Sequence, residues 1–392
     1  MDPSLLWLLL LPVAAASGWF AARREYRNRA RQSAANLPQD YYKGLNFILN
    51  EQPDKAIDVF MKLSDLDDST VEIHLALGSL FRRRGEVDRA IRLHQNLINR
   101  PNLSTELYSQ ALQELALDYT SAGLLDRAEN LCLELVDVDS RNLAALKLLR
   151  DIYQQEKEWF RAIDVARKIG ACLGEPQSLM IAHYYCEMAE QAWRKDDRVQ
   201  AQRMLDKALQ EDPRCGRAFM IRGRIEQRQC NYDAAISAYQ KIESKAPEYM
   251  SEILQELKAC YQAIGQKEKM VTYLKRIIRH HHGVELVLTA ARMLREYEGE
   301  DVALAFLGQE VTERPSLRGV QYMLELDLGK VHDEKGYLSV IKASLDKLLA
   351  NKPVYRCNNC GFTGVEMHWC CPSCKKWSSI KPIHEFQWGA SI

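Results

Sequence analysis

The sequence predicts an all-α protein in which an array of paired helices follows one N-terminal transmembrane helix and precedes a small metal-binding domain. Three observations predict this order: an uncharged apolar stretch near the start, a helical pattern that recurs about every 34 residues, and two C-x-x-C pairs within the last 40 residues. The expected segments are a transmembrane anchor at 1–22, a basic juxtamembrane linker at 23–40, the helical array at 41–350 and the metal-binding domain at 351–392.

Composition and charge limit the classes of function. The chain of 392 residues is 47% hydrophobic and 27% charged, which is ordinary for a globular protein. Its 53 basic and 53 acidic side chains cancel, which argues against a general nucleic-acid coat. The balance is uneven along the chain, since residues 1–31 and 352–392 each carry a net charge of +3 and the middle is acidic.

The apolar stretch covers residues 5–22 and contains no charged side chain. As a helix it would be about 27 Å long at roughly 1.5 Å per residue, which is enough to cross the core of a bilayer. Trp7 and Trp19 lie near its ends, where indole rings settle at the lipid headgroups. Five arginines follow at 23, 24, 27, 29 and 31, so the positive-inside rule places the rest of the chain in the cytoplasm.

A cleaved signal peptide is the alternative interpretation of the first residues, because small residues at 14–18 resemble a cleavage site. A signal peptide has a basic segment before its apolar core, whereas this chain has Asp2 there. The sequence therefore favours an uncleaved anchor.

The middle of the chain contains an internal repeat. A small residue recurs early in the predicted second helix of the pairs, and Met270 fills the one double step in the series, so that all intervals are 33 to 39 residues. The members of this series are Ala56, Ala90, Ala128, Ala162, Ala201, Ala235, Met270 and Ala303.

Other positions keep phase with this series. Small residues twelve positions earlier allow the paired helices to approach, aromatic residues nine positions earlier fill the gap, glycine five positions earlier forms the turn, and proline twelve positions later ends the helix. The small residues include Gly44, Gly78 and Gly223; the aromatic residues are Phe47, Phe81, Tyr119, Tyr153 and Tyr261; the glycines are Gly85, Gly123 and Gly265; the prolines are Pro213, Pro247 and Pro315.

This pattern resembles the tetratricopeptide-repeat family over about residues 41–345, with eight recognisable repeats and a degenerate ninth. The resemblance implies a superhelix of helix pairs with an extended groove that binds peptides or helices. A generic helical bundle is the alternative, but four in-phase positions favour the repeat array.

The eleven cysteines fall into two groups. Six are scattered on predicted helical faces, where packing is the expected role of a free thiol in a reducing cytoplasm: Cys132, Cys172, Cys186, Cys215, Cys230 and Cys260. The consecutive histidines 280–282 would point about 100° apart on a helix, so we expect a polar helix end or loop and not a metal site.

The two C-x-x-C pairs indicate a metal site, because each pair presents two thiolates to one tetrahedral ion. The expected ligands are Cys357, Cys360, Cys371 and Cys374. Gly361 supplies the positive φ that follows such a knuckle, and Lys375 occupies the corresponding place after the second pair, at a cost of about 1 kcal/mol.

Two neighbours are alternative ligands. Cys370 would form a pair with Cys374 of the wrong spacing, and His368 is unnecessary where four well-spaced thiolates exist. We also expect the aromatic residues of this segment to form its small core: Tyr355, Phe362, Trp369, Trp377, Phe386 and Trp388.

The cysteine pairs resemble those of rubredoxins and zinc ribbons, with C-x2-C-G first and C-P-x-C second. One ion bound by four thiolates is implied, and the spacing does not distinguish iron from zinc. The anchor, about nine repeats and the segment YRCxxCGF…CPSCxxWSxIKP together resemble a family of bacterial inner-membrane adaptors, in which this domain is rubredoxin-like and binds iron.

That resemblance implies partners and a location. The adaptors of this family help the membrane AAA+ protease FtsH to degrade the deacetylase of the lipid A pathway, and they contact lipopolysaccharide transport components. The chain would be a single-pass inner-membrane protein with a periplasmic N-terminus and a cytoplasmic bulk. Association with a second copy of the chain stays open.

Two other functions compete with an adaptor. One is a rubredoxin-type electron-transfer or redox-sensing protein that uses the repeats for docking. The other is nucleic-acid binding through Arg356, Lys375, Lys376 and Lys381, which the modest charge of the tail disfavours. The sequence contains no phosphate-binding, dinucleotide, zinc-protease or serine-hydrolase motif, so we expect no enzymatic activity. Because of the modest charge, we also expect no nucleic-acid partner.

We expect deletion of residues 1–22 to leave a soluble, folded array that no longer reaches membrane-bound partners, because the anchor is separate from the repeats. Membrane fractionation of the intact and shortened chains measures this. Release of a cleaved, soluble chain into an extracytoplasmic compartment would instead support the signal peptide.

Overall fold

The computed structural model describes most of the chain from Val71 to Ile383. The continuous described ranges are 71–100, 103–281, 283–314, 316–327, 337–349 and 352–383. The expected anchor and linker at 1–40 lie outside the described residues, as do most of the first repeat, Pro315 and His282. Among the helices that the structure describes, none combines the length and apolarity that a membrane span requires.

Between Val71 and Ile383, the structure describes sixteen α-helices. Their bounds are α1 Val71–Arg83, α2 Val87–Ile98, α3 Thr105–Ser121, α4 Leu125–Val138, α5 Leu143–Glu156, α6 Trp159–Leu173, α7 Ser178–Arg194, α8 Arg198–Glu211, α9 Gly216–Arg228, α10 Tyr232–Lys245, α11 Leu254–Ala263, α12 Lys267–His280, α13 Val284–Glu298, α14 Glu300–Glu313, α15 Leu317–Asp327 and α16 Tyr337–Leu349. Three short strands follow as β1 Tyr355–Cys357, β2 Thr363–Gly364 and β3 Ile380–Pro382.

The helices α1 to α14 form consecutive antiparallel pairs, and one residue of the series, an alanine except at Met270, lies on the second helix at the centre of each pair. The described members of the series, from Ala90 to Ala303 and including Met270, are all fully buried. Close approach also requires a small residue on the first helix. A Cβ at Gly78 would lie 2.2 Å from His94 Nε2, and one at Gly223 would lie 2.3 Å from the Tyr239 ring. The predicted close approach is therefore confirmed.

In six of the described pairs, the turn uses one left-handed residue. Gly85, Gly123 and Gly265 have φ values of 81°, 75° and 71°, as their position in the repeat predicts. Three repeats keep the same conformation without glycine, since Lys157, Asp196 and Cys230 have φ values of 61°, 58° and 61°. The turn is thus fixed by the packing of the two helices and not by the residue at the turn.

Cys230 corrects one expectation from the sequence. Its position in the turn leaves it exposed, whereas Cys132, Cys186, Cys215 and Cys260 are buried as packing residues. The series of cysteines does not share one role, because Cys230 stands in place of a turn glycine.

A second repeated contact was not predicted. The basic residue directly before the buried alanine lies over the aromatic ring of the first helix, 5.4 to 5.8 Å from the ring centroid. Cation–π contacts of this kind contribute about 0.5–1 kcal/mol at exposed sites. The pairs are Arg89 with Phe81, Arg127 with Tyr119, and Arg161 with Tyr153.

The chain divides into two compact units, at Met1–Ile152 and Tyr153–Ile392. Within the first unit, a buried polar network joins α1, α2 and α3. His94 Nδ1 lies 2.5 Å from Asp118 Oδ2, and both side chains are fully buried. Arg82 donates to Asp118 Oδ1 at 2.7 Å and to Glu114 Oε2 at 2.6 Å. Each partner satisfies the others, which is how a buried carboxylate is tolerated.

The second unit departs from the regular repeat before α11. Residues Pro247–Ile253 form a 3-10 helix where the first helix of this pair would begin. Pro247 is the first residue of this segment, and it occupies the position where the repeat predicts a proline that ends the preceding helix. Tyr249, Met250 and Ile253 are buried, and the strands of the C-terminal module lie against this segment.

We expect Lys157→Gly to raise the free energy of unfolding by about 1 kcal/mol, because glycine adopts the left-handed turn without strain. The Lys157 side chain is exposed, so little packing is lost. Urea denaturation followed by circular dichroism measures the change. Gly123→Ala is the control and should lower stability by a similar amount. A lower midpoint for Lys157→Gly would contradict this account of the turn.

Candidate metal centre

Two backbone knuckles hold the four predicted ligands. In the first, Gly361 N donates to Cys357 O at 2.9 Å, and the φ of Gly361 is 78°. In the second, Lys375 N donates to Cys371 O at 2.9 Å, and the φ of Lys375 is 58°. The left-handed lysine is the conformation that the sequence predicts. The knuckles have the same form although only one contains glycine.

A three-stranded antiparallel sheet brings the knuckles together. The strand order is β2-β1-β3, and Cys357 at the end of β1 pairs with Ile380 of β3. Tyr355 pairs with Gly364 on one side and with Pro382 on the other. Cys357 both ends the central strand β1 and begins the first knuckle. The pairing of β1 with β3 therefore fixes the position of this knuckle relative to the residues that follow the second knuckle.

The four sulfur atoms converge on one point. The Sγ atoms of Cys357, Cys360, Cys371 and Cys374 all lie within 4.8 Å of one another. Two of the Sγ–Sγ distances, from Cys357 to Cys374 and from Cys360 to Cys371, are 3.7 Å. A tetrahedral ion with metal–sulfur bonds of about 2.3 Å requires sulfur separations of about 3.8 Å. The donor set therefore fits one tetrathiolate-bound ion.

The surroundings of the sulfur atoms lower the pKa of one thiol and raise the pKa of another. Burial raises the pKa of the Cys357 thiol, but its hydrogen bonds with the Ser379 hydroxyl and the backbone N–H of Cys360 outweigh this and lower the pKa to about 6. Burial dominates at Cys371 and raises its pKa to about 11. A metal ion would bind the available thiolate of Cys357 and release protons from the remaining ligands.

The two alternative ligands lie outside this cluster. Cys370 Sγ donates to Lys375 O at 3.3 Å, and Cys370 forms an isolated bridge with Trp377. Within the described residues, neither Cys370 nor His368 belongs to a group that could hold a metal ion. The helix α12 ends at His280, so the expected polar helix end is observed where the structure describes it.

The module packs against the helices of the second unit, which the sequence analysis did not predict. Lys381 donates to Glu248 at 2.8 Å and to the Tyr249 hydroxyl at 2.6 Å, and its ammonium lies 4.3 Å from the Tyr249 ring centroid. Tyr355 donates to Glu252 at 2.7 Å. All three acceptors belong to the 3-10 segment, so the irregular element of the array is one part of the contact.

The expected aromatic core of the module is also corrected. The ring of Trp369 lies 4.8 Å from that of Tyr249, and Trp377 stacks on His183 at 5.0 Å. Trp369 thus belongs to the core of the second unit, while Phe362 and Tyr355 pack around the buried cysteines of the module. Phe386 and Trp388 lie outside the described residues. Two aromatic residues serve docking because a module this small has little interior to fill.

Family models match parts of both the helical array and the metal-binding domain. The family model described as rubredoxin metal binding domain matches residues 355–382, and tetratricopeptide-repeat models match 73–104 and 186–249. The C-terminal part of a tetratricopeptide-repeat protein from Cytophaga hutchinsonii covers 68% of this chain and 99% of its own, with 17% identity and a TM-score of 0.38.

The fold and the site define a tetratricopeptide-repeat protein that carries a rubredoxin-type metal-binding module. Lipopolysaccharide assembly protein B of Escherichia coli K12 is 38% identical over 380 residues, which are 96% of this chain and 98% of that protein. The protein of the same name from Haemophilus influenzae is 35% identical over 389 residues, with the same coverage. The chain belongs to the lipopolysaccharide assembly protein B family.

We expect one metal ion per chain in the wild type and in Cys370→Ser, and loss of the ion in Cys371→Ser. The two substitutions remove adjacent thiols, but only Cys371 lies in the cluster. Elemental analysis of the purified chains measures the stoichiometry. Retention of a full equivalent by Cys371→Ser, with loss in Cys370→Ser, would reverse the assignment of the second knuckle.

Proposed function

We propose that this protein is a membrane-anchored adaptor in lipopolysaccharide assembly that promotes degradation of the lipid A pathway deacetylase by FtsH. The proposal rests on one observation: this chain is similar to two proteins named lipopolysaccharide assembly protein B over nearly their whole length. The match includes the repeats and the metal module together, so it concerns the arrangement of the whole chain.

The architecture supports binding and not chemistry as the role of this chain. Arrays of helix pairs present extended surfaces that bind peptides or helices. Binding two partners on one scaffold raises their effective concentration without tight individual contacts. In this proposal the protease supplies the proteolytic site, residues 1–22 keep the adaptor at the inner membrane, and contacts with lipopolysaccharide transport components use the same scaffold.

The metal module has a structural part in this proposal. A segment with four thiolates and few buried apolar side chains derives much of its folding free energy from its ion. We propose iron as the physiological ion, with Cys357, Cys360, Cys371 and Cys374 as ligands. The ion fixes the surface with which Lys381 and Tyr355 contact the 3-10 segment.

Cys374→Ser should lengthen the half-life of the deacetylase at least several-fold, because the module cannot fold without its ion. The measurement is a chase of the deacetylase after protein synthesis is stopped, in cells whose only copy of the adaptor is the variant. Cys370→Ser is the matched control and should leave the half-life unchanged. A wild-type half-life in Cys374→Ser cells would contradict a role for the module in regulation.

The redox alternative has one observation in its favour, since the ligand Cys360 is exposed to solvent. An electron-transfer protein loses its function when redox-inactive zinc replaces iron. An adaptor in which the ion is structural keeps it. Deacetylase degradation by purified FtsH with the zinc-loaded or iron-loaded chain separates the two, and equal rates would reject the redox function.

A further inference from the structure

The indole of Trp377 occupies a pocket built by residues 154, 183, 184 and 217, all within the second unit. Its Nε1 donates to Gln154 Oε1 of α5 at 2.9 Å. Its ring stacks on His183 of α7, with centroids 5.0 Å apart and 23° between the planes, and it meets the Tyr184 ring edge-on at 5.8 Å. The guanidinium of Arg217, on α9, lies 6.0 Å from the ring centroid.

These contacts match the features of an indole. The hydrogen bond selects a ring with a donor, the stacked and edge-on rings select an aromatic, and a guanidinium is attracted to the electron-rich face. The pocket residues belong to α5, α7 and α9, which are the first helices of three successive pairs. In arrays of helix pairs such helices commonly contribute to partner-binding surfaces.

A second observation points to a ligand larger than the indole. The Arg217 side chain is only 6% exposed, and its Nη2 donates to Glu187 Oε1 at 2.8 Å and forms an ion pair with Glu190 Oε1 at 3.2 Å. Among the described residues, Nε and Nη1 of this side chain have no hydrogen-bond partner, and neither does His183 Nδ1. The two arginine N–H groups are buried donors without acceptors, which is costly, so a ligand that supplies a carbonyl or carboxylate oxygen would be favoured here.

The metal knuckles hold Trp377 in place through its neighbours. Cys371 N donates to Lys376 O at 3.0 Å, and the Ser379 hydroxyl lies 3.2 Å from Cys357 Sγ. Ser378, directly after the tryptophan, has a φ of 51° and lies 2.6 Å from His183 Nε2 through its hydroxyl. A strained loop of this kind keeps its conformation only while the surrounding structure holds it. Loss of the ion would unfold the knuckles that hold the loop, and Trp377 would then be released.

We propose that Gln154, His183, Tyr184 and Arg217 form a binding site for a tryptophan side chain and an adjoining peptide acceptor. Trp377 fills the site in the metal-loaded chain, and a tryptophan of a partner protein fills it when the ion is lost. The inference rests on the proposed adaptor function and adds a second state to it: the metal-loaded chain is the adaptor, and the metal-free chain, in which deacetylase degradation fails, exposes a site for a different partner. Its tests use no protease, so it can fail while the adaptor function stands.

The first test is hydrogen–deuterium exchange of the full chain in detergent, measured by mass spectrometry. Removal of the ion with a chelator should increase exchange at least several-fold in α7 and α9 as well as in the module. Trp377→Ala with its ion still bound should increase exchange in the same helices. Trp193→Ala, at the far end of α7, is the control. Unchanged exchange in α7 and α9 after chelation would overturn the metal dependence.

The second test uses N-acetyl-tryptophanamide, which carries an indole and two peptide groups. Its affinity, measured by saturation-transfer NMR, should be at least ten-fold higher for the metal-free chain than for the metal-loaded chain. Gln154→Leu should weaken binding to the metal-free chain about five-fold, through the loss of one hydrogen bond. N-acetyl-leucinamide controls for apolar binding. Equal affinity for the metal-free and metal-loaded chains, or for the two amides, would overturn the proposal.

Discussion

The convergence of four cysteine sulfurs is the constraint on which the C-terminal module and its contacts depend. The module has three strands of two or three residues and few buried apolar side chains, so its fold is not explained by a hydrophobic core. The knuckles around Cys357 and Cys371 set the position of the loop that carries Trp377 and of the strand that carries Lys381. The metal site thereby determines how the module meets the helices.

The helical part depends on a different constraint, which is the close approach of two helices at a small side chain. That requirement has a sequence signature, because a buried alanine and a glycine opposite it must recur in phase. The positions of Ala90, Ala128 and Gly223 could therefore be predicted, and so could the first and second knuckles. Each of these features is local, since residues a few positions apart determine it.

The features that could not be predicted are long-range. Nothing near Trp377 in the sequence indicates Gln154, which is 223 residues away, and the indole could equally have filled the interior of the module. Lys157 shows a second limit, since packing imposes a turn conformation that the residue itself disfavours. The row of arginines before the buried alanines was visible in the sequence. A comparison of the position before each alanine would have found it.

In the proposed adaptor, the helices bind a protease and its substrate on the same chain. Cross-linking in intact membranes, followed by mass spectrometry, tests this most directly because it identifies partners and the residues that touch them. If the helices bind both partners, cross-links should join the described helices to FtsH and to the lipid A pathway deacetylase, and Cys374→Ser should yield fewer of them. Membranes that contain both proteins and yield cross-links to neither would contradict this account.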